Sequence, residues 1–102
     1  MEAANLRIET GVCDKRYYKT GHAMEKGSGV RDDYLQVVFE QSFESPPSIQ
    51  YGIVYLDTSK EACLRVSLKL QEVTASFATF KFSTWVDSKV YGVSFSWMAI
   101  GS

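Results

Sequence analysis

The 102-residue chain has few of the residues that build metal centres. It contains one histidine, His22, and two cysteines, Cys13 and Cys63. This set is too small for a structural zinc site, so we expect no metal and no cofactor. The two cysteines could form one disulfide bond, and the sequence alone leaves that open.

The chain also lacks an excess of charge and a long apolar run. Its formal net charge is −1, which leaves no basic footprint for nucleic acid or for an anionic membrane. No apolar run approaches the roughly 20 residues that span a bilayer, and residues 1–5 have no signal-peptide pattern. We therefore expect no nucleic-acid partner and no membrane insertion, in a chain that is either cytosolic or a mature form.

Catalytic motifs are missing as well. A nucleophile needs an adjacent base, but His22 lies in a polar segment and nothing implies an acid partner for Cys63. The segment Gly27-Ser28-Gly29 lacks the lysine and the following helix of a phosphate loop. No two carboxylates have a spacing that marks a glycosidase. The sequence favours a binding protein over an enzyme.

What the chain does have is alternation of apolar and polar residues, with 14% aromatic content. A period of two indicates strands, and we predict them at residues 6–10, 34–40, 48–56, 63–73, 77–84 and 89–100. Prolines in Ser45-Pro46-Pro47 predict a bend. The pattern indicates an all-β protein, a six-stranded antiparallel β-sandwich that forms a single domain over residues 1–102.

Residues 14–33 predict a long loop, which Tyr17, Tyr18 and His22 are expected to hold to the body of the domain. A helix within residues 14–33 or 57–62 stays open as an alternative.

Side-chain directions follow from the same alternation. In residues 63–73 we expect one face to be buried and the opposite face, which carries Arg65, to be wet. In residues 77–84 the alternation places Trp85 at the end of the wetter face, whereas Trp97 in the last strand is expected in the core. The predicted core-facing residues of these two segments are Leu64, Val66, Leu68, Leu70, Ala78, Phe80 and Phe82. In residues 48–56 the alternation places Ile49, Tyr51, Ile53 and Tyr55 on one face.

Four residues have both a structural and a binding interpretation. Trp85, beside the polar turn Val86-Asp87-Ser88, is either a buried tryptophan or a platform for a flat ligand such as a sugar face. Arg65 is either a solvated side chain or a forked donor for vicinal hydroxyl groups. Asp32 is either a turn residue or an acceptor for a hydroxyl pair, and Tyr91 could belong to the core.

Several short segments together resemble the H-type lectin domain of snail agglutinins and discoidins, between residues 45 and 99. The resemblance rests on their order and spacing; they are Ser45-Pro46-Pro47, Leu56-Asp57, Leu64-Arg65-Val66, Ser76-Phe77-Ala78, Thr84-Trp85-Val86-Asp87-Ser88-Lys89-Val90-Tyr91 and Ser96-Trp97-Met98-Ala99. Residues 1–44 match only loosely.

The resemblance implies a homotrimer, or a hexamer built as a dimer of trimers, and metal-free binding of galactose or N-acetylgalactosamine on glycans between neighbouring protomers. It implies that Arg65, Trp85 and Tyr91 contact the sugar, with Asp32 holding hydroxyl groups and Gly29 preceding it. It also implies a secreted or extracellular protein, with a cytosolic one as the alternative.

Two departures from the family pattern qualify these expectations. Val86 stands where snail members have a histidine that contacts the acetamido group, so preference for the N-acetyl sugar is open. Phe82 stands where they have a half-cystine, whose partner Cys13 resembles, so the family bridge is expected to be absent. The alternative interpretation of the whole chain is a structural or protein-interaction module without a sugar site.

Overall fold

The computed structural model describes residues 6–15, 17–19 and 22–102 and contains six strands and one short helix in these ranges. The elements are β1 (Arg7–Lys15), α1 (Ala23–Lys26), β2 (Arg31–Val38), β3 (Ser48–Thr58), β4 (Val66–Val73), β5 (Phe77–Thr84) and β6 (Val90–Gly101). They form two three-stranded antiparallel sheets, sheet I in the order β1-β6-β3 and sheet II in the order β2-β5-β4. The predicted six-stranded sandwich is confirmed.

The core lies between the two central strands, β5 and β6. Residues of β5 alternate strictly between buried and half-buried, which is the pattern of a strand with one face in the core. The rings of Phe80 on β5 and Phe95 on β6 meet across the sandwich with centroids 4.7 Å apart. Trp97 is 8% exposed, so its predicted place in the core is confirmed.

Strand β1 points its apolar side chains outward. Ile8 and Val12 are 58% and 63% exposed, whereas Arg7 and Glu9 are half-buried. Arg7 is stabilised on the inner side because its guanidinium lies 3.8 Å from the centroid of the Phe43 ring and donates to the carbonyls of Gln41 and Ser42.

Gly11 also favours the orientation of β1 in which Ile8 and Val12 point outward. It pairs with Trp97, and a Cβ atom at position 11 would lie 2.6 Å from the indole ring. Only glycine leaves room for the ring here, so this face of β1 is the one that fits against Trp97.

The predicted strand at residues 63–73 is shorter than expected. Strand β4 begins at Val66, and Leu64 is 54% exposed, so its predicted core position is wrong. The backbone groups of Cys63 and Arg65 instead hydrogen-bond to the side chains of Thr84 and Ser88, and the ladder with β5 begins only at Val66. The predicted alternation holds for Val66, Leu68 and Leu70, which pack on the core. An irregularity after Leu70 then turns Val73 inward, as a bulge does by adding one residue.

A second bulge corrects the prediction for β3. The pairing with β6 shifts between Ile53 and Tyr55, so Ile49, Tyr51, Ile53 and Tyr55 do not all share one face. Beyond the bulge Leu56 packs on the core.

The predicted loop of residues 14–33 is largely structured in its described part. Strand β1 extends to Lys15, β2 begins at Arg31, and α1 lies between them, with the side chain of His22 accepting a hydrogen bond from the backbone N–H of Met24. Of the residues expected to hold the loop, Tyr18 is buried, whereas Tyr17 is 82% exposed. Residues 16, 20 and 21 of this segment lie outside the described residues.

Candidate functional site

The β5–β6 connection, residues 85–89, crosses from sheet II to sheet I at one end of the sandwich. Strands β2, β4 and β6 begin at this end and β5 ends there, as the pairing of Arg31 and Val66 with Thr84 shows. The site residues predicted from the sequence all lie at this end: Gly29, Asp32, Arg65, Trp85, Val86 and Tyr91.

Arg65 precedes β4, and its backbone is bound on one side by Ser88 of the connection and on the other by Thr84, the last residue of β5. Its N–H donates to Oγ of Ser88 at 2.8 Å, and its carbonyl accepts from Oγ1 of Thr84 at 2.6 Å. Oγ of Ser88 also donates to the carbonyl of Cys63. Thr84 and Ser88 are fully buried, and buried hydroxyls that are fully bonded fix a backbone in one position.

The guanidinium of Arg65 stays at the surface. Its Nη1 lies 3.2 Å from Oδ1 of Asp87, and the two side chains are 34% and 67% exposed. An ion pair this exposed is weak, so Arg65 can exchange Asp87 for another acceptor at small cost. The guanidinium of Arg65 is therefore held at the surface only by a weak ion pair, and its role as a forked donor stays a prediction.

Asp32 lies on the outer face of sheet II, opposite Ser83 of β5. One of its carboxylate oxygens accepts a hydrogen bond from Oγ of Ser83 at 2.6 Å. Asp32 is exposed and belongs to β2, so it is held by a strand and not by the long loop from which it was predicted. Trp85 directly follows β5 and is half-buried, so its place at the end of the wetter face stays a prediction.

Val86 has an unusual backbone. Its φ is +62°, a left-handed conformation that is a genuine outlier for a β-branched residue. Its carbonyl accepts the N–H of Gly29 at 3.0 Å, and Gly29 itself has φ +74°. The Val86 side chain is 52% exposed, so the connection presents it to solvent beside Trp85.

Arg31 is a residue that the sequence analysis missed. It is only 8% exposed, and it donates to the carbonyls of Ala23, Gly29 and Val86 at 3.3, 3.1 and 3.1 Å. The alternation that places Leu35 in the core also places Arg31 on the inner face of β2, so the period-two pattern carried the signal. The same pattern, extended from Phe82, would have identified Thr84 as buried.

Tyr91 lies apart from these residues. It belongs to sheet I, is half-buried, and borders a shallow depression against residues 58–61. Its carbonyl accepts the N–H of Tyr18 at 2.8 Å. Within residues 6–15, 17–19 and 22–102, no ring contact or side-chain hydrogen bond links Tyr91 to Trp85 or Arg65. Hydrogen bonds thus join Gly29, Arg31 and Val86 directly, and Tyr91 lies at the same end on the other sheet.

Two nearby groups have shifted acidities. Tyr18 donates its hydroxyl hydrogen to Oδ2 of Asp33 at 2.9 Å, and burial, followed by the charge of Asp33, raises the pKa of Tyr18. Burial also raises the pKa of the Cys13 thiol. Both Cys13 and Cys63 are free thiols, with Cys63 exposed.

The described residues contain neither a metal-ligand cluster nor a membrane-spanning helix. No group of three His, Cys, Asp or Glu side chains comes together there as a metal site. The helix that the structure describes, α1, is far too short to cross a membrane.

Solved structures with the same sandwich come from a social amoeba. Two structures of discoidin II from Dictyostelium discoideum, one of the native recombinant protein and one of the wild-type protein, superpose with TM-scores of 0.81 and 0.80. Both are 23% identical to this chain and cover 96% and 95% of it. The chain spans only 38% and 37% of the length of those discoidin II chains. The chain therefore has the same fold as this part of the discoidin II chains.

The family follows from the sequence comparison. The family model of the H-type lectin domain matches residues 35–100, and the chain belongs to this family. A curated relative from Fuscovulum blasticum, "ATP synthase subunits region ORF 7", is 28% identical over 85 residues, which are 83% of this chain and 74% of the relative. Membership of a lectin family points to a binding protein and not to an enzyme.

Proposed function

We propose that this protein is a lectin that binds terminal galactose or N-acetylgalactosamine on glycans. The observation that carries the proposal is the arrangement around the β5–β6 connection. The exposed forked donor of Arg65, the half-buried ring of Trp85 and the carboxylate of Asp32 lie at one end of sheet II. Two fully buried hydroxyls, of Thr84 and Ser88, hold the Arg65 backbone in place.

This set of groups suits the chemistry of galactose. The axial 4-hydroxyl leaves one face of the sugar ring apolar, and that face can pack on an aromatic side chain. The opposite edge presents vicinal hydroxyls, which a guanidinium can bond as a fork and a carboxylate can accept. Because Val86 replaces the histidine found in snail members, we propose that plain galactose binds as well as the N-acetyl sugar.

Multivalency is the second part of the proposal. A shallow site that contacts one sugar has weak affinity, so useful binding requires several sites on one particle. We propose a homotrimer, or two trimers together, with sugar sites between protomers. A neighbouring protomer would then supply the Tyr91 that the single chain keeps apart from Trp85.

The outer face of sheet I is the surface we assign to this assembly. It carries exposed apolar side chains from all three strands, among them Ile8 and Val12 of β1, Tyr55 of β3 and Met98 of β6. An apolar patch of this kind marks an interaction surface in a soluble protein. A lectin that binds cell-surface glycans acts outside the cell, and we propose an extracellular location.

Glycan-array binding with competition by free sugars tests the proposal. We expect binding to glycans with terminal galactose or N-acetylgalactosamine, inhibited by millimolar galactose but not by glucose, which differs only at the 4-hydroxyl. Calorimetric titration then measures both sugars. Array binding that galactose does not inhibit, or no glycan binding at all, would favour the protein-interaction module instead.

A further inference from the structure

Arg31 is a buried cation at the end of the sandwich that carries the candidate site. Its three hydrogen bonds go to backbone carbonyls of three different segments: Ala23 in α1, Gly29 before β2, and Val86 in the β5–β6 connection. Among the described residues it forms no ion pair with a carboxylate. A buried charge without an ionic partner is costly, and the three hydrogen bonds to carbonyls offset part of that cost.

The space around Arg31 is shaped for its long side chain. A Cβ atom at position 27 would lie 2.5 Å from Cδ of Arg31, so a glycine there gives the arginine stem its path. The guanidinium has five N–H donors in a fixed plane, whereas a lysine has a single ammonium group. Arg31 uses a different nitrogen for each carbonyl, Nη1 for Ala23, Nε for Gly29 and Nη2 for Val86. The three N–H groups of a lysine share one nitrogen and cannot span these three acceptors in the same way.

The carbonyl of Val86 receives two of the hydrogen bonds at this end. Gly29 donates its N–H at 3.0 Å and Arg31 donates from Nη2 at 3.1 Å. Together they hold the peptide group after Val86 in the direction that its left-handed φ of +62° creates. A valine adopts such a conformation only where its surroundings impose it.

We infer that Arg31 is a positioning residue of the sugar site. It fixes the Trp85–Val86 corner relative to the segment that carries Gly29 and Asp32, and it sets the direction in which the side chain of residue 86 projects. This inference rests on the proposed function for its effect on sugar binding. The mechanical part, control of Trp85 and Val86 by Arg31, stands on the hydrogen bonds alone.

Arg7 supplies a matched control at the opposite end of the molecule. It is half-buried, and its Nη2 donates to the carbonyls of Gln41 and Ser42 at 2.7 and 3.1 Å. Arg7→Lys therefore removes a comparable arginine–carbonyl arrangement far along the strands from residues 85–89. A loss of stability common to both variants can be separated from an effect on the site.

The experiment labels both tryptophans with 5-fluorotryptophan and records fluorine NMR spectra, with Trp85→Phe used for assignment. Sugar titrations are made on the same samples well below the melting temperature. For Arg31→Lys and Arg31→Met we expect the Trp85 resonance to shift or broaden, the Trp97 resonance to stay, and galactose affinity to fall about tenfold or more. For Arg7→Lys we expect a lower melting temperature with an unchanged Trp85 resonance and unchanged affinity.

The outcomes separate the two ideas. An Arg31→Lys protein that melts earlier but keeps both the Trp85 resonance and the affinity of the wild type would overturn the inference. If the wild type binds neither sugar, the proposed function fails, and the Trp85 resonance alone decides whether Arg31 positions this corner. If the Arg31 variants do not fold, Gly27→Ala is scored by the same spectra, because its new methyl group would lie 2.5 Å from Cδ of Arg31 and 2.7 Å from the carbonyl oxygen of Ala23 and so displaces the arginine from its acceptors.

Discussion

The hydroxyl of Ser88 accepts the backbone N–H of Arg65 at 2.8 Å, 23 residues away in the sequence. Thr84, on the other side of Trp85, donates its hydroxyl hydrogen to the carbonyl of the same arginine. Thr84 and Ser88, which lie on either side of residues 85–87, thus both hold the backbone of Arg65 by hydrogen bonds. The position of the exposed guanidinium depends on them, although neither contacts it.

Ser88→Ala should lower both stability and sugar affinity. The change leaves the N–H of Arg65 and the carbonyl of Cys63 without their partner, and a buried polar group without a hydrogen bond costs about 1–3 kcal/mol. Chemical denaturation measures the loss. Ser76→Ala is the control, because its hydroxyl is exposed and bonds only the exposed hydroxyl of Ser42. A Ser88→Ala protein as stable as the control would show that the hydrogen bonds of the Ser88 hydroxyl contribute nothing to stability.

Arg65→Ala should weaken galactose binding and leave the fold intact. The side chain is 34% exposed and fills no core space, so the change in stability should be about 0.5 kcal/mol or less. Loss of charge-assisted hydrogen bonds to two hydroxyls should cost about 1.5–3 kcal/mol per site, or one to two decades in affinity. Calorimetric titration measures the loss of affinity, and Lys69→Ala, which removes an exposed lysine of β4, is the control. Wild-type affinity in a folded Arg65→Ala protein would remove Arg65 from the site.

Alternation alone was enough to predict the sandwich, because each strand of a two-layer fold has one buried face. It predicted β5 to the residue and the core position of Trp97. It failed at Leu64, where the chain follows hydrogen bonds of Ser88 and not a strand partner. It also failed beyond Ile53, where a bulge changes the face. A periodic pattern contains no information on either, since both depend on contacts with distant residues.

The candidate site was predicted from the family resemblance, residue by residue, and the structure brings all of those residues to one end of the molecule, with Tyr91 on the other sheet. What the sequence did not reveal is how they are held there. Arg31, Thr84 and Ser88 are buried polar residues whose partners are backbone groups of other segments. Such partners leave no mark in the pattern of side-chain types.

Two substitutions of Val86 should have separate effects, one on the stability of the protein and one on its sugar preference. Val86→Gly removes the conflict between a β-branched side chain and a φ of +62°, and we expect it to stabilise the protein by about 1 kcal/mol. Val86→His should raise the preference for N-acetylgalactosamine over galactose, because the histidine at this position in snail members contacts the acetamido group. The variant should fold, since histidine tolerates this backbone conformation better than valine. Melting curves and paired titrations measure both effects. An unchanged sugar preference in Val86→His would mean that residue 86 does not face the acetamido group.

Tyr18 should make folding sensitive to alkaline pH. Its pKa is raised in the folded protein by burial and by Asp33, so the folded state keeps the proton that the unfolded chain releases near pH 10. This contribution to stability is complete below about pH 10 and is lost as the pH rises above it. Tyr18→Phe should therefore be less stable by about 1 kcal/mol at pH 7, with the gap narrowing between pH 10 and 12. A gap that stays constant across this range would contradict the raised pKa.

The assignment of the assembly surface can be tested with two equivalent valines. Val12 on the outer face of sheet I is 63% exposed, and Val38 on the outer face of sheet II is 69% exposed. Light scattering should report a trimer or hexamer for the wild type, and Val12→Lys should shift it toward monomer because a charge is buried at the seam. Val38→Lys should leave the assembly unchanged. A monomeric wild type at micromolar concentration would refute the assembly itself.

Gly11 also selects between two alternative pairings of β1. A slip of one residue would carry Ile8 and Val12 to the inside of the sandwich, and on hydrophobicity alone that pairing is the better one. It would also remove the glycine from beneath the Trp97 ring, where any Cβ atom lies within 2.6 Å of the indole. The absence of a side chain at position 11 therefore selects the observed register of β1 on steric grounds. It keeps Ile8 and Val12 of the edge strand β1 exposed on the outer face. Because these apolar side chains stay exposed until the chains assemble, an unassembled chain would be prone to aggregate.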